Sequence, residues 1–444
     1  MKKTIVFFWL LSLALIKRHI KYIFLGSIIG FVITLFLLHT YPIYNRLSLV
    51  KSKRIGMVGR FKQNNLPQAI QNQLSLGLTS ILPSGEATAA LALNWSVDQS
   101  EKIYTFNLRP DIYWHDGKKL TTKDINYKIK DATISAINDT TLKITLKEPF
   151  SPLPTNLSSP LIRPQLIGVG PYKLNKIHYL GDIISEIELN SHISDFPPII
   201  YRFYPTLTDA VLAFKLGEID TLQNITDILD LVTWTEIKVT QTNVYDNFVG
   251  VFFNLKDPIF KEKELRQALI YAIPNVDFYT KAYTPISPLS WAYSQNVRLY
   301  RYDPETATKI LAKSPLSSQS SEITITTFSS FVKLAQSIVD AWEKVGVHSK
   351  IKVVNSLPSE YQLLLLAQNI PADPDQYQYW QSTQSTINFS HYANLKIDKL
   401  LEDGRTTFDQ EKRKKIYADF QRYLVDDAPV IFLYYPKVYT VERK

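Results

Sequence analysis

Two short stretches of the chain alternate between apolar and polar residues, a pattern typical of half-buried strands. The apolar positions are Tyr104, Phe106 and Leu108 in the first stretch and Leu142, Ile144 and Leu146 in the second. Apolar residues at helical spacing follow, at Leu265, Ala268, Leu269 and Ala272 and again at Ile416, Phe420 and Leu424. Because short strands and helices are mixed irregularly, the pattern predicts several α/β lobes rather than a barrel or a bundle.

The last predicted helix has recognisable ends. Asp409 is a favourable N-cap residue, and the helix should end before Pro429. The six residues from Val430 to Tyr435 are all apolar or aromatic. They predict a buried strand close to the end of the chain.

The first 49 residues contain two apolar runs, Thr4–Ile16 and Tyr22–Leu38, with a cationic stretch between them. At about 1.5 Å per residue the second run would span roughly 26 Å, close to the hydrocarbon thickness of a bilayer. We therefore predict an uncleaved transmembrane signal anchor over residues 22–38, with the bulk of the chain outside the cytoplasm. The run Thr4–Ile16 is too short to span and suits an interfacial or re-entrant segment. A cleaved secretory signal is the alternative, but a cleavage site is hard to find after Leu38.

The net charge of +9 belongs to this membrane end. Nine Lys and Arg residues precede residue 55, and the first acidic residue is Glu86. The rest of the chain is formally neutral, so we expect no nucleic-acid partner, which would require excess positive charge on a folded face. The absence of cysteine excludes disulfides, thiolate chemistry and a lipid anchor on an N-terminal cysteine.

Short motifs that could indicate catalysis have simpler interpretations. His-Asp-Gly at 115–117 contains the Asp-Gly pair of a turn. Gly-Val-Gly at 168–170 lacks the third glycine of a dinucleotide fingerprint, and Pro171 removes a backbone N–H. The Ser-x-x-Lys at 330–333 has none of its companion motifs. The seven histidines are scattered without ligand spacing. We therefore predict no enzyme, no metal site and no cofactor.

An ordered series of segments resembles one known family. The segments that carry the resemblance are Trp114 to Gly117 with Thr122 to Ile125, Gly168 to Leu174, Arg266 to Leu269, Tyr302 to Ala307, Asp373 to Tyr377 and Asp426 to Pro429. The family is that of the bacterial extracellular solute-binding proteins, family 5, which serve ATP-driven importers of oligopeptides, dipeptides and nickel. The chain departs from the family in its shorter segment between Ile125 and Leu142 and in a protein anchor instead of a lipid.

The resemblance implies a bilobal α/β fold of the periplasmic-binding-protein type (class II, peptide-binding), with a hinge and a ligand enclosed between the lobes. Lobe one would comprise residues 50–250 plus 428–444, with an accessory subdomain at about 85–165. Lobe two would comprise residues 251–427. The chain would cross between lobes near Phe248–Asn254 and near Ala428–Tyr435.

The segment Asp373–Ser382 concentrates carboxylates, aromatic rings and amides. Such groups suit a peptide, because a carboxylate pairs with an ammonium group, aromatic faces accept varied side chains and amides satisfy the backbone. The candidate ligand-binding residues are Asp373, Asp375, Tyr377, Tyr379, Trp380, Gln381 and Asn254. In peptide-binding relatives an aspartate of this region holds the ligand's amino group, and the sequence leaves Asp373 and Asp375 as alternatives. A purely structural Asp-Pro turn is the competing interpretation.

The expected function is that of an importer's solute-binding protein. It would capture oligopeptides or similar solutes by hinge closure and deliver them to a membrane permease with its ATPase. The alternative is a membrane-anchored sensor or assembly protein that uses the same fold to engage a protein partner.

Overall fold

The computed structural model describes residues 52–191, 196–314, 316 and 322–444, together with a few positions between 19 and 34. The predicted anchor over 22–38 and the run Thr4–Ile16 lie largely or wholly outside the described residues. No helix within the described ranges is both long enough and apolar enough to cross a membrane.

From residue 52 onwards, the described residues form nineteen strands and nine α-helices. The strands are β1 Lys53–Val58, β2 Thr79–Ile81, β3 Ala87–Ala89, β4 Ala92–Val97, β5 Ile103–Leu108, β6 Ala132–Ala136, β7 Thr141–Leu146, β8 Tyr172–Leu180, β9 Ile183–Ser191, β10 Ile199–Tyr204, β11 Thr221–Ile225, β12 Ile237–Asn243, β13 Asn247–Phe253, β14 Thr280–Lys281, β15 Glu322–Phe328, β16 His348–Val354, β17 Leu363–Asn369, β18 Val430–Tyr435 and β19 Lys437–Arg443. The helices are α1 Gln68–Leu74, α2 Leu153–Asn156, α3 Leu207–Lys215, α4 Lys263–Tyr271, α5 Pro304–Leu311, α6 Val332–Glu343, α7 Tyr377–Trp380, α8 Leu395–Thr406 and α9 Gln410–Asp427.

Two large mixed sheets divide the molecule into two lobes. The seven-stranded sheet has the order β12-β19-β11-β1-β10-β9-β8 and forms lobe one. The six-stranded sheet has the order β14-β18-β13-β17-β15-β16 and forms lobe two. A four-stranded antiparallel sheet, β4-β5-β7-β6, is inserted in the chain between β1 and β8 and has its own apolar core. The irregular α/β lobes expected from the apolar pattern are therefore present.

Several local predictions are confirmed. The alternating residues form β5 and β7, and their apolar side chains are buried between the four-stranded sheet and its covering segments. The Asp409 side chain accepts a hydrogen bond from the Lys412 N–H at the start of α9, and this helix ends at Asp427. The turn at 115–117 is also present, since Gly117 has φ +82° and its N–H donates to the Trp114 carbonyl.

The chain crosses between the two large sheets at residues 244–246 and at Pro436. The two crossings are adjacent, because the Val244 N–H donates to the Pro436 carbonyl at 2.8 Å. Strands β13 and β18 both belong to the lobe two sheet, and only β19 returns to lobe one. The crossings therefore lie four residues before the boundary at 250 and eight residues after the boundary at 428 that the resemblance implied, and β18 belongs to lobe two instead of lobe one. Every residue of β18 is buried, as its apolar sequence predicts.

Candidate functional site

The loop at 370–376 connects β17 to the short helix α7 and contains both candidate aspartates. The Asp373 carboxylate accepts a hydrogen bond from the Asp375 N–H at 3.0 Å. The Asp375 carboxylate in turn accepts from the Tyr377 N–H at 3.1 Å. Two successive aspartate turns of this kind fix the loop, because each carboxylate replaces a backbone acceptor.

Asp373 forms a buried ion pair with Arg413 of α9. The two Arg413 Nη atoms donate to the two carboxylate oxygens at 3.2 and 2.7 Å, and the side chains are only 9% and 7% exposed. Arg413 Nε donates to the Gly404 carbonyl, which joins the pair to α8. Because both oxygens of Asp373 are engaged by a cation, its charge is already compensated within lobe two.

Asp375 forms a second, less buried ion pair with Arg405. Arg405 Nε donates to Asp375 Oδ2 at 3.0 Å, and the side chains are 13% and 30% exposed. Burial raises the pKa of the Asp375 carboxyl, and the positive charge of Arg405 opposes that rise. The guanidinium of Arg405 lies 4.1 Å from the Tyr377 ring centroid and 5.1 Å from that of Phe150. Arg405 thus connects lobe two to the inserted subdomain.

Backbone contacts strengthen this junction between the lobes. The Arg405 carbonyl accepts hydrogen bonds from the Ser151 N–H at 2.8 Å and from Ser151 Oγ at 3.0 Å. Close by, the Trp291 N–H donates to the Ser84 carbonyl at 3.0 Å. Gln410 Nε2 donates to Glu86 Oε1 at 2.8 Å. The two halves of the molecule are therefore in direct contact on this side.

Two neighbouring cavities lie beside these contacts, between the lobes. The smaller, about 340 Å³, is lined by Ile81, Phe150, Pro152, Thr155, Asn156, Ser159, Pro371, Ala372, Asp373, Asp375, Gln378 and Arg405. The larger, about 570 Å³, adjoins the chain crossings and is lined by residues 81–83, 85, 224, 242–247, 287, 289–290, 370–372 and 438. The two share Ile81, Pro371 and Ala372. Together they form a cleft with walls from both lobes.

The structure brings only part of the predicted residue set to this cleft. Asp373 and Asp375 line the smaller cavity, and Tyr377 stacks on Arg405 at its edge. Trp380 is fully buried and stacks on Phe252 at 6.2 Å, so it belongs to the core of lobe two.

The remaining three predicted residues line neither cavity. Tyr379 and Gln381 are buried in lobe two. Asn254 Nδ2 donates to the Tyr361 carbonyl at 2.8 Å, which fixes the end of β13.

Sequence reasoning missed most residues of the larger cavity. They come from segments far apart in the chain, near positions 81–85, 242–247 and 287–290. None of these segments has a distinctive composition. These segments come together where the two chain crossings lie side by side. That arrangement depends on β12 and β18 pairing in different sheets, which the sequence alone does not reveal.

The sequence also did not identify one group of possible metal ligands. His178, Glu186 and Glu188 lie on the paired strands β8 and β9 and can each place a ligand atom within 4.8 Å of the others. Arg202 Nε donates to Glu186 Oε2 at 2.6 Å, so a cation already neutralises that carboxylate.

Comparisons with known proteins extend the resemblance. The family model for bacterial extracellular solute-binding proteins, family 5, middle region, matches residues 86–390. The oligopeptide-binding protein AppA of Bacillus subtilis (strain 168) is 24% identical over 314 residues, covering 62% of this chain and 57% of AppA. The dipeptide-binding protein of Escherichia coli (strain K12) is 22% identical over 463 residues and 84% of each chain.

Solved structures show the same fold. The structure of AppA from Bacillus subtilis in complex with a nonapeptide matches with a TM-score of 0.70, at 20% identity, over 89% of this chain and 95% of that one. The substrate-binding protein CtaP of Listeria monocytogenes matches with a TM-score of 0.77, at 22% identity, over 88% and 94%. These neighbours confirm the bilobal α/β peptide-binding-protein fold.

The matched region includes the inserted subdomain, most of lobe two and the loop that carries Asp373 and Asp375. It covers well over half of the chain, and the relatives are named as oligopeptide- and dipeptide-binding proteins. The chain therefore belongs to the bacterial extracellular solute-binding proteins of family 5 and is a binding protein, not an enzyme.

Proposed function

We propose that this protein is the solute-binding component of an ATP-driven importer and that it binds peptides or similar solutes between its lobes. The observation that carries the proposal is the pair of neighbouring cavities, whose walls come from both lobes beside the two chain crossings. The named relatives support the ligand class, because they are oligopeptide- and dipeptide-binding proteins.

In the proposed mechanism the crossings at 244–246 and Pro436 act as the hinge. Lobe one comprises the described residues from 52 to 243 together with 437–444, and lobe two comprises the described residues from 247 to 435. A ligand in the cleft contacts both lobes only when they are closed, so binding shifts the population toward the closed form. In this mechanism the hydrogen bonds of Ser151 to the Arg405 carbonyl belong to the closed form and break when the lobes open.

Of the two candidate aspartates, Asp375 is better placed to contact a ligand. Its carboxylate shares the smaller cavity with Arg405, whose side chain is 30% exposed, so this ion pair presents a negative and a positive group together on the cavity wall. Asp373 instead gives both oxygens to Arg413. A peptide in this cavity would contact the Asp375–Arg405 pair and the Tyr377 ring.

The decisive experiment measures ligand-induced stabilisation of the full-length protein. Its thermal unfolding is recorded with a peptide library and, as control, with free amino acids of the same composition. A ligand at about 100 times its Kd stabilises the native state by about 2.7 kcal/mol, so binding raises the melting temperature. If no peptide or related solute shifts the transition, the proposed function is wrong.

Coupling to import is tested in cells. Deleting the gene should reduce uptake of a labelled peptide identified in the stability screen, and the intact gene should restore it. Unchanged uptake in the deletion strain would remove the importer assignment while leaving the binding result intact.

We also propose that residues 22–38 anchor the protein in the membrane with both lobes outside the cytoplasm. The uncharged run and the cations that precede it support this orientation. The full chain should remain in the membrane pellet after alkaline extraction, and a chain that starts at residue 39 should not. Recovery of the full chain in the soluble fraction would contradict the anchor.

A further inference from the structure

An open groove of about 800 Å³ lies in the inserted subdomain, away from the cleft. It is lined by residues 122–123 and 125–130, by alternate residues of β6 and by Leu142 of β7. None of these residues lines either cavity between the lobes. The groove therefore borders the stretch from Ile125 to Leu142, which is shorter in this chain than in the family.

Strand β6 forms one edge of the subdomain sheet. In the order β4-β5-β7-β6 its neighbour is β7, and among the described residues no second strand pairs with it. The Ile137 N–H donates to the Thr141 carbonyl at 2.9 Å, and the Lys147 N–H donates to the Asp131 carbonyl at 3.1 Å. Antiparallel pairing alternates, so the backbone N–H and C=O groups of the even-numbered residues of β6 point away from β7. These residues are Ala132, Ile134 and Ala136, whose side chains also line the groove.

This edge has none of the features that usually protect a sheet edge from further pairing. The sequence of β6, Ala-Thr-Ile-Ser-Ala, contains no charged residue and no proline. Its register with β7 is regular and has no bulge. Residues 125–130, which share the groove with β6, do not form a strand. The outer backbone groups of β6 are therefore available to an additional strand.

The groove beside this edge is positively charged. Of the described residues that line it, three are lysines and none is acidic. Lys123, Lys128 and Lys130 are exposed, and none of them forms an ion pair with a described residue. Ile129 and Ile134 are partly buried and supply apolar surface between the lysines. A partner that fills the groove must therefore bring negative charge as well as apolar contact.

We propose that the edge of β6 and its groove bind an acidic, extended segment of a partner protein, which adds a fifth strand to the subdomain sheet. Hydrogen bonds to the outer backbone groups of β6 supply affinity, and the three lysines select for acidic side chains. A second copy of this chain fits poorly, because its own lysines would meet these lysines. A lipid headgroup would pair with the lysines and leave the backbone of β6 unpaired. The inference goes beyond the proposed function and does not depend on it.

The test measures binding of a fluorescein-labelled octapeptide of alternating Glu and Val to the full-length protein in detergent micelles, by fluorescence polarisation. A Lys-Val octapeptide is the control for charge. Two further probes carry N-methyl groups either on every Glu or on every Val, and each form blocks one edge of the peptide strand. Because only one edge can face β6, one form should bind about as well as the parent. The other should bind at least about tenfold more weakly.

Two variants of the protein test the same surface. The double variant Lys128→Glu, Lys130→Glu should weaken binding of the Glu-Val peptide at least about tenfold. Its control is Lys333→Glu, Lys344→Glu, which reverses two exposed lysines of lobe two and should leave binding unchanged. Ala136→Pro removes an outward N–H without breaking the pairing with β7, and it should also weaken binding. The N-methylated probes need no change in the protein, so the test stands even where a variant folds poorly.

Several outcomes would overturn the proposal. They are no binding of the Glu-Val peptide to the wild type, equal binding of the two N-methylated forms, equal binding of the Lys-Val peptide, and unchanged affinity in Lys128→Glu, Lys130→Glu. A dimer in sedimentation velocity that Ala136→Pro dissociates would assign the edge to a second copy instead. Binding of phosphatidylglycerol micelles in place of the peptide would assign the lysines to a lipid surface.

Discussion

Arg413 holds Asp373 with both of its terminal nitrogens, at 3.2 and 2.7 Å, inside lobe two. The guanidinium also lies 5.3 Å from the Trp291 ring centroid, and its Nε bonds the end of α8. This pair joins the 370–376 loop, α8 and α9. The loop that forms one wall of the cleft is therefore fixed by a buried charge pair and not by the ligand.

Replacing Asp373 by Asn should strongly destabilise lobe two. The substitution leaves Arg413 buried without its counter-ion, which costs about 3–5 kcal/mol. Urea denaturation, followed by tryptophan fluorescence, measures the change. The control is Asp403→Asn, which removes the exposed pair with Lys399 and should cost about 0.5 kcal/mol or less. Equal stability of the two variants would contradict a structural role of Asp373.

Local sequence signals predicted secondary-structure elements well but predicted the residues of the cleft poorly. The start of α9 at Asp409 and the alternation of β5 depend on neighbouring residues, and both were predictable. Trp380 shows the limit, because its aromatic character fits a binding surface and a core equally well. Packing against Phe252 decides in favour of the core.

The roles of the charged residues could not be predicted from the sequence either. Asp373 and Asp375 resemble each other in their local context, and only the positions of Arg413 and Arg405 distinguish them. These arginines lie 40 and 30 residues further along the chain.

Gly85→Ala should oppose closure of the cleft. A Cβ at Gly85 would lie 2.2 Å from the Ala372 carbonyl oxygen, on the opposite wall, and the glycine has φ +87°. We expect peptide affinity to fall by about tenfold or more, because the walls must move apart by about 1 Å before the Cβ and this oxygen reach an ordinary contact distance. Calorimetry with the best peptide of the stability screen measures the effect.

The control for this variant is Gly117→Ala. Gly117 has a similar φ of +82° but open space around the position of a Cβ. Both variants carry a comparable backbone penalty, of about 1 kcal/mol. An equal loss of affinity in both would show that backbone strain, and not contact across the cleft, is responsible.

Linking Glu86 to Gln410 should trap the closed form. Their side chains are hydrogen-bonded across the lobes at 2.8 Å, and the chain contains no cysteine that could interfere. In the double variant Glu86→Cys, Gln410→Cys, a short thiol cross-linker should react faster in the presence of bound peptide. The cross-linked protein should neither take up nor release peptide. Single-cysteine variants are the control, and a cross-linked protein with normal exchange would contradict hinge closure.

Lys281 should make the stability of lobe two depend on pH in the alkaline range. This residue of β14 lies beside Arg298 and apolar residues of β18, and burial lowers its pKa to about 8. The folded state therefore binds fewer protons than the unfolded state between about pH 8 and pH 10.5, so the free energy of unfolding rises with pH across that window. Below pH 8 the full cost of the buried charge is present.

Lys281→Met keeps the aliphatic stem of the side chain and removes the charge. One pKa unit corresponds to about 1.4 kcal/mol, and partial solvent contact reduces the expected gain at pH 7 to roughly 2 kcal/mol. The difference between variant and wild type should shrink toward zero as pH approaches 10.5. Denaturant titrations at a series of pH values measure this difference in the free energy of unfolding. Other groups that titrate in this range, including the buried tyrosines, contribute equally to both proteins, so their effects cancel. A gap that stays constant with pH would mean that Lys281 acts through packing and not through its charge.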